Sequence, residues 1–328
     1  MLKPGITAPE FNLRAINSST NLSLNKLNWK WRVLIFIPAN FLTEENNKIL
    51  QYEERGDEFK KQGAVISGII NTRENNLNPS SVTNISFPLL SDNTGSVSLQ
   101  YRAISNNGII HPAVFIVDDQ NTIRKVFEAS RYPDLPNPAA VIRALIQLEN
   151  TPTPDPVTEK DWQLGPSSAP ITIIEYGDYQ CKLCAESFAI LDSILPIYEG
   201  KVRLVHRHLP LRHSHPQSQI AAEAAEAAGK QGKFWEMHRL LFKSTDTLEM
   251  ENLIEYARRI SLDVDKFIYD LNSGAYRESV DDDFKRAIKN KIKLPPALFI
   301  NRILFEGPRT KETICARIEE LLSCINDF

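Results

Sequence analysis

The chain has 328 residues, of which 42% are hydrophobic, and this is enough for about two domains with cores of their own. The net charge of −3 argues against a nucleic-acid or anionic-membrane partner. No apolar run approaches the ~18–20 residues that a membrane span needs. Residues 1–10 show no apolar signal-peptide core, and four cysteines do not make a disulfide scaffold. We therefore expect a cytoplasmic protein.

The first 150 residues alternate short β-rich runs with helix-compatible stretches, which is the pattern of a mixed sheet with helices. Four segments stand out in this half: an opening at 5–13, an apolar run at 31–38, a middle segment at 87–101 and a late run at 113–124. They resemble the opening, central strand, middle segment and late hairpin of peroxiredoxins of the AhpC/TSA type, and the resemblance covers roughly residues 2–148. The resemblance implies a thioredoxin-like fold for residues 1–149.

The peroxide chemistry of that family is missing from this half of the chain. The family places a threonine or serine four residues after a proline, and the reactive cysteine seven residues after it. Counted from Pro38, this chain has Leu42 and Glu45 instead, and Pro112 replaces the arginine that polarises the peroxide. The chain has no cysteine before Cys181. We therefore predict a non-catalytic domain for docking, dimerisation or substrate capture, with Glu45 as a solvated carboxylate.

Residues 149–156 carry a proline at every second position from Pro152 to Pro156. Such a run favours extended, unpaired backbone and is typical of a semi-rigid linker. We therefore predict a first domain at 1–149, a linker at 150–157 and a second domain at 158–328. All four cysteines lie in the second domain.

The motif Cys181-Lys182-Leu183-Cys184 is the most informative feature of the second domain. An apolar run at 171–176 and a polar turn at 177–180 precede it, and a helix-compatible stretch at 185–192 follows it. A dithiol between a strand and a helix N-terminus is typical of a thioredoxin-like redox site. The helix N-terminus and Lys182 would both favour the Cys181 thiolate. Cys184 lies one turn further on and could resolve a mixed disulfide.

The motif has two alternatives to a redox dithiol. Two cysteines at this spacing can be half of a zinc site, for which Cys315 and Cys324 are candidate further ligands. On a helix, their nine-residue spacing is about 900° of rotation and about 13 Å of rise, which puts the two sulfurs on opposite faces. The second alternative is inert core cysteines. We favour the redox dithiol, with Cys315 and Cys324 as structural thiols.

Three further segments of the second domain are informative: residues 165–181 up to the first cysteine, residues 202–211 and an Ala-rich stretch at 221–238. They resemble the entry strand with active-site turn, the next strand and the helical segment of the DsbA-like thioredoxin family, and the resemblance covers residues 158–326. It implies a helical insertion at about 216–290 and a hairpin at 298–307 that closes the sheet. Gly229 suits a helix C-terminal stop within that insertion.

The resemblance also carries over individual site residues. Pro296 matches the family's cis-proline, which exposes the backbone of residue 295 to an extended substrate. Residue 295 is itself a proline here, where a threonine is usual, so it has only a carbonyl group to offer. Glu175 matches a buried acid beneath the second cysteine, where it would exchange a proton with Cys184. The alternative is that Glu175 faces solvent.

Lys182 and Leu183 replace the proline–histidine pair of strongly oxidising members of the family. Leu183 cannot stabilise the Cys181 thiolate as that histidine does. We therefore expect a less oxidising dithiol, and we place Lys182, Leu183 and Pro295 at the substrate surface.

Four histidines lie within ten residues, at His206, His208, His213 and His215. Residues two apart on a strand share a face, and such a pair could bind a metal. The DsbA-like family often has histidine at the positions of His208 and His215 without a metal. We therefore expect structural or surface roles, and no metal site.

These observations predict an α/β protein of two tandem thioredoxin-like folds, the second DsbA-like. The predicted function is thiol–disulfide exchange through Cys181 and Cys184 on protein or small-molecule substrates, with no organic cofactor. An electron donor such as a thioredoxin or glutathione system is expected, as is a homodimer formed through the N-terminal domain. Three alternatives stay open: a thiol-dependent peroxidase that uses Cys181, a redox-switched binding or chaperone module, and a thiol-adduct transferase or isomerase.

Overall fold

The computed structural model describes residues 1–38, 48–71, 84–104, 110–131 and 134–326. The chain divides into two compact units, one of Met1–Asn150 with Cys324–Phe328 and one of Thr151–Ser323. Each unit has its own sheet of strands and its own helices. The predicted α/β class is therefore confirmed.

Within the described ranges, the first unit contains a seven-stranded sheet with the order β2-β1-β5-β4-β3-β6-β7. Its strands are β1 (Asn12–Ala15), β2 (Asn21–Ser23), β3 (Trp31–Pro38), β4 (Ala64–Asn71), β5 (Leu89–Ser91), β6 (Ala113–Asp118) and β7 (Ile123–Glu128). Its helices are α1 (Lys48–Glu54), α2 (Gly56–Lys61), α3 (Ser96–Gln100) and α4 (Pro138–Asn150). Strand β3 pairs parallel to β4 and antiparallel to β6, so it lies inside the sheet.

The continuous apolar run of β3 explains its central place, because a strand covered on both faces has no solvent side to make polar. Every residue of β3 from Val33 to Ile37 is fully buried. Pro38 ends the strand and is half-buried, and Pro112 is buried just before β6. Leu42 and Glu45, the residues at the family's catalytic positions, lie outside the described residues.

The second unit, all of whose residues are described, has a five-stranded sheet with the order β12-β11-β9-β10-β8. Its strands are β8 (Trp162–Leu164), β9 (Ile171–Gly177), β10 (Val202–His208), β11 (Ala297–Ile300) and β12 (Ile303–Leu304). The central strand β9 is parallel to β10 and antiparallel to β11. Helix α5 (Lys182–Ile194) follows β9, and α11 (Lys311–Asn326) follows β12.

Five helices lie between β10 and β11 in this fully described unit. They are α6 (Ser218–Lys230), α7 (Phe234–Lys243), α8 (Met250–Arg259), α9 (Val264–Ser273) and α10 (Arg277–Lys289). Gly229 does not end α6, contrary to our expectation; the helix continues to Lys230, and Gly232 takes the left-handed conformation with φ of 78°. Gly229 is needed for space, because a Cβ there would lie 2.4 Å from the Trp162 ring.

The proline-rich segment before β8 is held against the second unit. The Thr153 N–H donates to the Asn290 carbonyl oxygen over 3.4 Å. The buried Arg207 guanidinium donates to the carbonyl oxygens of Asp155 and Pro156 over 3.0 and 3.1 Å. The segment is therefore tied down by hydrogen bonds at several points along its length.

Candidate active site

A short turn delivers Cys181 from the end of β9 to the start of α5. Cys181 is the N-cap residue of α5, with extended backbone (φ −91°, ψ 115°). Its N–H donates to the Asp178 carbonyl oxygen over 3.1 Å. The Asp178 carboxylate accepts from the N–H groups of Gln180 and Leu211, each over 2.8 Å. These bonds hold the turn that places Cys181 at the N-terminus of α5, where the first N–H groups of a helix lack partners within the helix.

The two thiols of the motif have opposite electrostatic environments. A hydrogen bond from the Cys184 thiol, opposed by burial and helped by the N–H groups of Cys184 and Leu183, lowers the pKa of Cys181 to about 6. The hydrogen bond to Cys181 and burial both raise the pKa of Cys184 well above its ordinary value. Cys181 is 9% exposed and Cys184 is fully buried. Cys181 is therefore the more acidic thiol of the pair, and Cys184 holds its proton more tightly.

Glu175 lies on β9 and is buried, so the alternative that it faces solvent does not hold. Burial raises its pKa to about 7, although a hydrogen bond from Ser187 and the charge of Arg309 act in the opposite direction. The Ser187 hydroxyl, on α5, donates to Glu175 Oε1 over 2.7 Å. A carboxyl group with this pKa is suited to accept and return a proton near neutral pH.

The bond between Pro295 and Pro296 is cis. Strand β11 begins at the next residue, where Ala297 pairs with Tyr176, so Pro296 lies beside the end of β9 from which the active-site turn starts. The exposed Arg309 donates from Nη2 to the Pro296 carbonyl oxygen over 2.9 Å. The dithiol turn and the proline turn are therefore neighbours at one end of the sheet.

Three side chains at this end point into solvent. Leu183 is 62% exposed and Leu294, the residue before Pro295, is 69% exposed. The Lys182 ammonium pairs with Asp246 over 3.3 Å, and both side chains are largely exposed. The sequence did not single out Leu294. A leucine beside prolines forms no recognisable motif, and only the fold places this turn next to the dithiol.

The histidines of residues 206–215 divide into two groups. His213 is exposed, and His215 Nδ1 lies 2.8 Å from Asp178 Oδ2 in the active-site turn. His206 and His208 are buried on one face of β10, with ring centroids 5.1 Å apart. Their spacing along a strand predicted that shared face.

His238 on α7 is the residue that the sequence did not single out. It is fully buried, and its ring lies 4.5 Å from that of His206. Burial lowers the pKa of both His206 and His238 well below the ordinary value. Only the fold brings these two residues together, since they lie on a strand and on a separate helix.

Neither remaining cysteine forms a disulfide. Cys315 on α11 is half-buried, Cys324 is buried, and both are free thiols, as are Cys181 and Cys184. None of the helices in the described ranges combines the length and apolar character needed to span a membrane.

The fold and the dithiol define a thioredoxin-like protein. The family model for thioredoxin matches residues 157–320, and that for the AhpC/TSA family matches residues 4–126. The first match covers half of the chain, so the chain belongs to the thioredoxin family, with an AhpC/TSA region before it. The predicted pair of thioredoxin-like folds is therefore confirmed.

Among curated relatives, the chain is 38% identical over 160 residues to Na(+)/H(+) antiporter NhaA 3 of Salinispora tropica. That match covers 49% of this chain and 24% of the relative, so the chain spans about a quarter of the length of the curated relatives it matches. The oxidised BdbD of Bacillus subtilis is 23% identical with a TM-score of 0.47, and covers 52% of this chain and 97% of its own. AhpC of Mycobacterium tuberculosis is 24% identical with a TM-score of 0.39, and covers 45% of this chain and 94% of its own.

Proposed function

We propose that this protein is a thiol–disulfide oxidoreductase that acts through Cys181 and Cys184 on protein or low-molecular-weight disulfides and dithiols. One observation carries the proposal. At the N-terminus of α5, the pKa of Cys181 is lowered to about 6, and the buried Cys184 donates a hydrogen bond to it. A thiol with this pKa is mostly thiolate at neutral pH, and the thiolate is the nucleophile in disulfide exchange.

The reaction would proceed in two exchange steps. The Cys181 thiolate attacks one sulfur of the substrate disulfide; a mixed disulfide forms, and the other substrate sulfur leaves as a thiolate. Cys184 then loses its proton to the Glu175 carboxylate and attacks the Cys181 sulfur. The second substrate thiolate leaves, and a Cys181–Cys184 disulfide remains. Two electrons have passed to the substrate, and a thioredoxin or glutathione system would supply two more to reduce the Cys181–Cys184 disulfide again. No organic cofactor is required.

The surface around the dithiol supports binding of an extended, partly apolar substrate. Leu183 and Leu294 offer exposed apolar side chains, and Lys182 offers a positive charge. The carbonyl group of Pro295 can accept a hydrogen bond from substrate backbone, but this residue has no N–H to donate. Side-chain contacts therefore carry more of the binding here than in relatives with a threonine at this position.

The main segment of the first unit, Met1–Asn150, has no thiol chemistry of its own, because the chain has no cysteine before Cys181. We assign it a non-catalytic role in docking or in forming a homodimer. We place the protein in the cytoplasm, where a weakly oxidising dithiol would be kept reduced. Alkylation of Cys181 and Cys184 in intact cells, read by mass spectrometry, tests that placement.

The decisive test is a trapping experiment with the full-length Cys184→Ser variant and a disulfide-containing peptide. We expect a stable mixed disulfide through Cys181, because the resolving thiol is gone. Cys181→Ser should trap nothing, and the matched control Cys315→Ser should turn over as the wild type does. Peroxide consumption by the wild type without any disulfide exchange would favour the peroxidase alternative and overturn the proposal.

A further inference from the structure

A buried polar cluster lies on the side of β9 and β10 that faces α7. It consists of Glu175 on β9, His206 on β10 and His238 on α7, and each is at most 2% exposed. One ligand-type atom from each of the three residues lies within 4.8 Å of those of the other two. Glu175 Oε2 and His206 Nδ1 are 3.9 Å apart, which is too long for a hydrogen bond.

Four side-chain atoms of this cluster have no hydrogen-bond partner among the described residues. They are Glu175 Oε2, both ring nitrogens of His206 and His238 Nε2. An unsatisfied buried polar group costs roughly 1–3 kcal/mol, and native proteins contain few of them. Because an imidazole can turn only one of its nitrogens to a given ion, one such atom from each of the three residues can face a common occupant that supplies missing interactions.

The outer contacts of the cluster resemble those of a metal centre. Glu175 Oε1 is held by the Ser187 hydroxyl over 2.7 Å, while Oε2 stays free. His238 Nδ1 lies 2.7 Å from the Tyr179 hydroxyl, while Nε2 stays free. Metal ligands commonly have one polar atom fixed by an outer partner and the other turned to the ion. Hydrogen bonding within the protein does not explain why one atom of each side chain has a partner and the other has none.

We propose that Glu175, His206 and His238 bind a divalent first-row metal ion, with Zn²⁺ as the best match. One carboxylate and two neutral imidazoles are a donor set that zinc uses in proteins. Zinc lies about 2.0–2.1 Å from nitrogen and oxygen ligands, which puts tetrahedral ligands about 3.4 Å apart. The side chains would need to close by roughly 1 Å from their present separations, and a water could be the fourth ligand.

The metal would also affect the reaction. This consequence rests on the proposed function. The ion would occupy the Glu175 carboxylate that takes the proton from Cys184, so the second exchange step would slow. The binding claim itself does not depend on disulfide exchange, and the two can therefore fail separately.

The test uses the full-length Cys181→Ser/Cys184→Ser variant, so that the dithiol cannot bind the metal. Because the cluster is buried, the protein is unfolded and refolded with Co²⁺, and excess metal is removed by gel filtration. We expect about one Co²⁺ per chain with visible d–d absorption and no sulfur-to-cobalt charge-transfer band. X-ray absorption of the Zn²⁺-loaded protein should show imidazole scattering without sulfur.

Substitutions then locate the site. In the same background, His206→Gln and His238→Gln should each weaken binding by about 100-fold, since each removes a direct ligand. His213→Gln, at an exposed histidine, is the matched control and should bind as its parent does. Absence of bound metal after refolding, sulfur scattering in the absorption spectrum, or full binding in both buried-histidine variants would overturn the proposal. If the buried-histidine variants fail to fold, the X-ray absorption spectrum of the Zn²⁺-loaded parent variant still shows whether imidazole or sulfur binds the metal.

Discussion

Arg207 holds Asp161 in a bidentate ion pair, with Nε to Oδ1 at 2.7 Å and Nη2 to Oδ2 at 3.2 Å. Both side chains are buried. The guanidinium also donates to the Tyr176 hydroxyl over 2.9 Å and to the two carbonyl oxygens of the proline-rich segment. A single cation on β10 therefore joins the sheet to the segment that enters the second unit.

Breaking this pair should destabilise the second unit. In Asp161→Asn the Arg207 charge stays buried without its counter-charge, so we expect the free energy of unfolding to fall by about 3–5 kcal/mol. Urea unfolding followed by hydrogen-exchange mass spectrometry of β9 and β10 peptides reports this unit separately. Glu255→Gln, which breaks the exposed pair with Arg258, is the control and should cost less than about 1 kcal/mol.

The same pair predicts a pH dependence. Burial would raise the pKa of Asp161, but the hydrogen bonds and charge of Arg207 outweigh it and lower the pKa below the ordinary value. The stabilisation is therefore present above the unfolded pKa of about 3.9 and is lost as the pH falls through the folded pKa. The stability difference between wild type and Asp161→Asn should shrink below about pH 4. A difference that stays constant as the pH is lowered well below 4 would contradict this.

Cys181 should be alkylated as a thiolate well below the ordinary pKa of a cysteine. The rate of iodoacetamide modification at Cys181, read peptide by peptide, should rise with pH around a midpoint of about 6. Cys184→Ala removes the largest cause of the shift, the thiol hydrogen bond, and should move the midpoint toward about 8.5. A wild-type midpoint near the ordinary value would show that Cys181 is not activated.

Glu175→Gln should slow the second exchange step and leave the first nearly unchanged. The amide cannot take the Cys184 proton, so the mixed disulfide on Cys181 should persist roughly 100-fold longer. Rapid acid quenching with mass spectrometry measures its lifetime. Glu186→Gln, at an exposed acid on α5, is the matched control. Equal lifetimes in the two variants would remove Glu175 from the mechanism.

Leu183→His should make the dithiol more oxidising, because a histidine there can stabilise the Cys181 thiolate and so the reduced form. We expect the reduction potential to rise by about 30 mV, which corresponds to about 1.4 kcal/mol, when measured by equilibration with glutathione. Ile197→His places the same residue at another exposed apolar position of the second unit and should leave the potential unchanged. A rise in both variants would indicate an effect of charge alone.

Gly229→Ala should destabilise the protein even though alanine is the better helix former by about 1 kcal/mol. The new Cβ would lie 2.4 Å from the Trp162 ring, which is stacked on Phe234. Overpacking of this kind costs about 1–3 kcal/mol, so the thermal midpoint should fall. Gly56→Ala has no neighbour within 4 Å and should not lower it.

The sequence by itself determined the features that depend on local order along the chain. The apolar run at 171–176 indicated the strand that precedes the dithiol, and residues 31–38 resembled a central strand. The Cys181–Cys184 spacing placed one thiol before the first turn of a helix and the other one turn later. The face shared by His206 and His208 followed from the two-residue repeat of a strand.

Only the tertiary structure decided what depends on residues far apart in the chain. The Ser187 contact to Glu175, the approach of His238 to His206 and the Arg309 contact to Pro296 each join separate elements, and no local pattern encodes those distances. Gly229 shows the same limit. Its sequence context favours a helix end, but the Trp162 ring across the helix is what requires a glycine. Side-chain packing between elements is thus what turns a recognisable dithiol motif into a specific site.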